Sequence, residues 1–166
     1  MKVDSVGFEL RVRPSIKKDI LPLFRSLRPE DLRELKVALN HRENEILDGL
    51  QRGFDSSDPC YTIHISGRPV GIYGVIPIQV KGVDVGAVWL LGTNDIVNSL
   101  NRKSQFIRES RMRLDALHAR YPILWNFIDS RNHVHMRWVK WLGFNIINSV
   151  ELGPERVLFH EIMRIQ

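Results

Sequence analysis

The run Asp129-Ser-Arg-Asn132-His-Val-His-Met-Arg-Trp-Val-Lys-Trp-Leu-Gly143-Phe144 gathers residue types that can do chemistry at spacings that fix where they sit. Asn132 can cap the first turn of a helix, and Val134, Trp138, Trp141 and Leu142 recur behind it at helical spacing, so Trp138 and Trp141 read as core. Gly143 suits the left-handed residue that ends a helix, and Phe144-Asn-Ile-Ile reads as the strand that follows. The start of that helix is where a cofactor could sit. Asp129 is either a carboxylate able to take a proton or a turn residue in Asp-Ser-Arg-Asn. Upstream, Arg102 and Lys103, with the N–H groups around Ser104 and Gln105, could hold an anion at a helix start; alternatively Ser104 caps a helix beneath a surface loop. His133 and His135 flank Val134 without a third ligand at helical spacing, so no metal site is expected.

These residues need elements to hold them. Val6 to Arg13 alternates as a strand broken by Pro14, and Ser15 to Ser26 reads as a helix interrupted by Pro22. Pro29-Glu-Asp starts a further helix, and helical spacing continues through Ile46, Leu47, Leu50 and Phe54. Tyr61 to Ser66, Val70 to Gln79 and Val83 to Leu91 form a three-strand meander turned at Gly67 and Lys81-Gly82. A helix over Ser104 to Arg120, a buried strand over Ile123 to Ile128, the Asn132 helix and strands Phe144 to Val150 and Val157 to Ile165 complete the chain. The expected order is β-α-α-β-β-β-α-β-α-β-β, a mixed α/β (α+β) fold in a single domain over 1–166.

The 166 residues, 43% hydrophobic and 26% charged, suit one core rather than two. No apolar run reaches the roughly 20 residues that span a bilayer, so no membrane partner is expected and the chain reads as cytoplasmic. The lone Cys60 excludes an internal disulfide framework. A net charge of +5 favours acidic partners, but no zinc-finger, RRM or KH signature accompanies it, and a nucleic-acid partner is not expected.

The order of elements, together with Asn132, Gly143 and Phe144, resembles the GNAT superfamily of acetyl-CoA-dependent N-acetyltransferases and its N-x-x-A-x-x-L-Y-x-x-x-G-F motif. The resemblance spans nearly the whole chain. It implies that the fourth and fifth strands, Val85 to Leu91 and Ile123 to Ile128, run parallel and splay apart to admit the pantetheine arm of acetyl-CoA as a further strand would. It implies cofactor contacts at Leu90, Leu91, Gly92, Thr93 and Asn132, with a backbone N–H near Leu91 to Thr93 on the acyl carbonyl, and a phosphate site among Arg102, Lys103, Ser104 and Gln105.

Two departures accompany the resemblance. The tyrosine that serves as general acid in the family falls at Val139, which can neither donate nor accept a proton. The family's glycine-rich pyrophosphate loop is replaced by Gly92-Thr-Asn-Asp-Ile-Val-Asn-Ser-Leu-Asn-Arg-Lys, which has no glycine after Gly92 and carries Asp95. Base candidates for an acceptor amine are His41, Glu43, Glu45, His64, Asp95 and Asp129, of which Asp129 lies nearest the expected cleft. The phrases Val88-Trp-Leu-Leu-Gly-Thr-Asn, Tyr121-Pro-Ile-Leu-Trp-Asn and Asp129 to Phe144 also resemble GNAT-like proteins of short-tailed bacteriophages associated with virion internal proteins. Two readings follow. One is an acetyl-CoA-dependent N-acetyltransferase, acting on an unknown protein or other amine acceptor. The other is a catalytically silent protein of the same fold, contacting phage virion or host proteins in host cytoplasm or within the virion.

Overall fold

The computed structural model describes residues 10–39, 43–98 and 100–166, leaving out the side chains of 43, 44, 98 and 100–107. Seven strands form one mixed sheet in the order β1-β2-β3-β4-β5-β7-β6. They are β1 (Leu10–Pro14), β2 (Cys60–Ile65), β3 (Arg68–Val80), β4 (Val83–Gly92), β5 (Ile123–Asp129), β6 (Asn145–Leu152) and β7 (Val157–Ile165). All neighbours pair antiparallel except β4 and β5, which are parallel because α4 and α5 carry the chain across between them.

The helices are α1 (Ile20–Phe24), α2 (Pro29–Leu39), α3 (Glu43–Ser56), α4 (Asn94–Asn98), α5 (Leu100–Leu117) and α6 (His133–Trp141). The first three cover one face of the sheet, where Ile20, Leu23 and Leu50 bury against Ile72 and Leu91. On the opposite face, Met136 and Val139 of α6 pack with Leu124, Ile128 and Ile162, and Leu114 and Leu117 of α5 lie against them. Alternation along β4 explains both cores, since Val88 and Leu90 go to one face while Trp89 and Leu91 go to the other.

The expected order holds in outline, with local differences. A 3-10 turn at Lys17–Asp19 and the short α1 stand where one Pro-interrupted helix is expected. Thr93 accepts the Asp95 N–H at 3.3 Å and starts α4 at once, so the segment read as a loop is helical. Gly143 does end α6 with φ of +87°. Trp138 is buried as expected, but Trp141 is 54% exposed because it falls off the stripe formed by His135, Met136, Trp138 and Val139. Among the described residues no helix is long and apolar enough to cross a membrane.

Candidate functional site

The parallel seam between β4 and β5 is short. It joins Val85 to Ile123, Gly86 to Leu124 and Ala87 to Trp125, and beyond that Val88–Gly92 and Asn126–Asp129 run on without pairing to each other. The strands therefore splay. Thr93 donates its N–H to Val70 of β3 at 2.8 Å, and in an antiparallel ladder alternate residues face alternate neighbours. Leu91 thus faces β3, while Val88, Leu90 and Gly92 turn their N–H and C=O groups toward the gap.

Side chains from α2 pin the wide end of the gap. The Gly92 N–H donates to Asp31 Oδ2 at 2.8 Å, and the Gly92 carbonyl accepts the Arg28 N–H at 3.0 Å. Asp31 also pairs with the buried Arg28 guanidinium. Asn132 Nδ2 donates to Asp31 Oδ1 at 3.2 Å and to Glu34 Oε2 at 3.0 Å, while its Oδ1 accepts the His135 N–H at 3.3 Å. Glu34 in turn accepts the Asp129 backbone N–H. A continuous chain of hydrogen bonds thus ties Gly92 of β4 to Asp129 of β5 through three side chains.

This arrangement revises the expected roles of several residues. Asn132 is the expected cap, and its amide hydrogens already serve two carboxylates. The N–H groups of Gly92 and Thr93 are engaged by Asp31 and Val70, which leaves Leu90, with Val88, as a residue whose backbone faces the gap. Asp129 is the turn residue and not a free base, because Arg131 binds its carboxylate through the backbone N–H at 2.9 Å and through the guanidinium at 2.6 Å. Burial alone would raise its pKa, but the Arg131 hydrogen bonds outweigh burial and hold it below the ordinary aspartate value.

Ser104 and Gln105 lie within α5, which begins at Leu100, so their N–H groups belong to the helix rather than to an anion. The side chains of Arg102, Lys103, Ser104 and Gln105 lie outside the described residues, as do His41 and the side chain of Glu43. His64 of β2 sits beside Asp19 and Arg13, Glu45 is exposed, and Asp95 is a half-exposed partner of Arg68.

Two clefts open on the gap from opposite faces. The first lies against α5 and α6, encloses about 700 Å³ including its open mouth, and has walls that include Tyr73, Leu117, Val139 and Phe144. The second lies beneath α2 and α3, encloses about 1390 Å³ including its mouth, and includes Glu34, Trp89 and Phe127. Both are lined by Val88, Trp89, Leu90, Asn126 and His135, so the two clefts adjoin at these residues, where the sheet has come apart.

Two ionisable groups at this junction were not singled out by sequence reasoning as acid–base candidates. Burial pushes the Glu34 carboxyl up to about 8, aided by the nearby charges of Asp31 and Asp129 and opposed by the Asn132 hydrogen bond. Burial also lowers the His135 imidazole, which is therefore held neutral, and its Nδ1 has no hydrogen-bond partner. Nothing local flags Glu34, one of several acidic residues on an amphipathic helix; its position depends on Asn132, 98 residues away. Tyr73 lines the first cleft with its hydroxyl buried and unpartnered.

A sequence profile for the family described as "Bacteriophage T7, probable scaffold protein Gp13" matches residues 71–149. No curated protein matches the sequence. Among solved structures, an aminoglycoside N(6')acetyltransferase from Legionella pneumophila superposes with a TM-score of 0.68 at 14% identity, covering 97% of this chain and 94% of that one. A GNAT-family acetyltransferase from Bacillus anthracis gives 0.66 at 11% identity, with 96% of each chain covered. The aminoglycoside acetyltransferase AAC(6')-Ib, solved with coenzyme A, gives 0.66 at 13% identity, with 95% of each chain covered. These likenesses and the parted parallel seam agree: the chain has the GNAT acetyltransferase fold.

Proposed function

We propose that the protein is a phage-encoded N-acetyltransferase that uses acetyl-CoA and delivers the acetyl group to an amine. One observation carries this reading: clefts from both faces of the sheet meet at Val88, Leu90, Asn126 and His135, where β4 and β5 have parted. Two reactants can approach one point from opposite sides, which is the positioning that acyl transfer between bound partners needs.

The residues present fit an acyl-pantetheine arm. Val88 and Leu90 offer backbone groups to its amides, and Leu117, Val139 and Phe144 supply an apolar wall. Arg102 and Lys103, at the start of α5, are the cations proposed for the diphosphate. Acetyl-CoA would supply an activated acyl thioester. On the acceptor side, Glu34 takes a proton from the incoming ammonium and releases it to solvent, leaving the neutral amine that can accept an acyl group. Because Val139 can supply no proton, solvent is left as the acid.

A second reading, a catalytically silent protein that works through contacts with virion or host proteins, is favoured by the match to a scaffold family over residues 71–149 and by the engagement of Gly92 and Asn132 within the protein itself. Isothermal titration separates the two. The transferase reading expects one acetyl-CoA site per chain, together with thiol release when an amine is added. No binding at millimolar ligand would leave the silent reading in its place.

A further inference from the structure

We propose that the cleft beneath α2 and α3 takes a primary amine carried on an apolar, ring-sized body, with the ammonium at Glu34 and the body against Trp89. The inference rests on the transferase reading for its acetyl donor, but the amine site stands on the geometry of this cleft alone.

Charge comes first. Among the described residues lining the cleft, Glu34 is the single carboxylate and the exposed Arg52 the single cation, while His135 is buried neutral. One carboxylate matches one ammonium. A polyamine or aminoglycoside would leave its further charges facing apolar walls or Arg52, and a buried charge without a partner is strongly disfavoured. This chain therefore differs from the aminoglycoside acetyltransferases whose fold it shares.

Shape comes second. Leu35, Leu50, Phe127 and Phe159 make the cleft predominantly apolar. Gly53 of α3 lies against Trp89, where a built Cβ would be in van der Waals contact with the indole at 4.0 Å, so the glycine leaves the rest of this half-buried ring facing the cleft. The indole is anchored by its Nε1–H to Ser57 Oγ at 2.9 Å, so it presents a fixed aromatic surface to the cleft for an apolar body to pack on. His135 adds an unpartnered buried nitrogen where the cleft meets the gap, next to where an acceptor nitrogen would be delivered.

Calorimetric titration at pH 8.5 with 2-phenylethylamine, a peptide with an N-terminal phenylalanine, and spermidine tests this without acetyl-CoA. At least one of the two apolar amines should bind tenfold or more tightly than spermidine, and the tighter of them identifies a small molecule or a chain terminus as the source of the amine. Glu34→Gln should weaken that binding at least tenfold by removing the charge. Gly53→Leu should weaken it similarly by laying a side chain over the indole of Trp89, at a helical position where leucine is well tolerated. Tighter binding of spermidine, no binding of either apolar amine, or binding that both variants leave unchanged would overturn the proposal. A bound amine with no bound acetyl-CoA would sink the transferase reading and leave the amine site standing.

Discussion

The two ends of the β4–β5 seam are built from the same pair of strands and held by different means. At the narrow end, Gly86 and Ala87 pair with Leu124 and Trp125 through backbone groups that every residue carries. At the wide end, the same strands are tied through Asp31, Glu34 and Asn132, so the connection depends on side-chain identity and protonation. The comparison shows how a sheet can be opened without fraying: at the far end of the gap the Gly92 and Asp129 N–H groups are taken up by carboxylates of α2, which Asn132 links. It also locates sensitivity, since the wide end can be altered by one substitution or by pH.

The largest effect is expected at the wide end. Arg28→Ala would leave Asp31 buried without its cation, and losing one member of a buried pair costs about 3–5 kcal/mol. Urea denaturation should show the midpoint falling by the corresponding amount; a loss under about 1 kcal/mol, typical of an exposed pair, would mean that the carboxylate is held by its other donors.

The narrow end should respond to volume and not to charge. A Cβ at Gly86 would lie 2.8 Å from Val75 Cγ1 and 2.9 Å from Leu124 Cδ2, so Gly86→Ala should cost about 1–3 kcal/mol by overpacking. That cost should be equal at pH 5 and pH 9. A strong pH dependence would show that the two ends are coupled.

Glu34→Gln should change stability in the opposite sense. A carboxyl raised from 4.5 to about 8 in the folded protein favours its protonated form there, so the fold loses stability as pH climbs from 4.5 toward 8. The variant should match the parent below pH 4.5 and be more stable above pH 8 in thermal melts. Its acetyl transfer should lack the rise with midpoint near pH 8 that deprotonation of Glu34 gives the parent. A pH-rate profile identical in the two proteins would remove Glu34 as the base.

Much of the framework was legible because it is local. Richness in Val and Ile on either side of Lys81-Gly82 marked β3 and β4, Pro29 marked the start of α2, and Asn132 with Gly143 bounded α6, each signal lying within a few residues of the element it specifies. Trp141 was misread because helical spacing identifies a stripe but not its edges, and only contact with the sheet decides which edge is covered. The start of α5 was misplaced because Ser104 is as good a cap as Thr93, and the chain uses Thr93 to begin α4 before α5 starts at Leu100.

The sequence by itself determined the seven strands in their order, the lack of a proton donor at Val139 and the cap at Asn132, because these depend on residue type and near-neighbour spacing. Tertiary structure alone decided that Asn132 would spend its amide on Asp31 and Glu34, that Asp129 would be neutralised by Arg131, and that Glu34 would become the carboxyl poised near pH 8. The physical reason is that desolvation and hydrogen-bond satisfaction belong to places, and a place exists only once segments 98 and 101 residues apart have met.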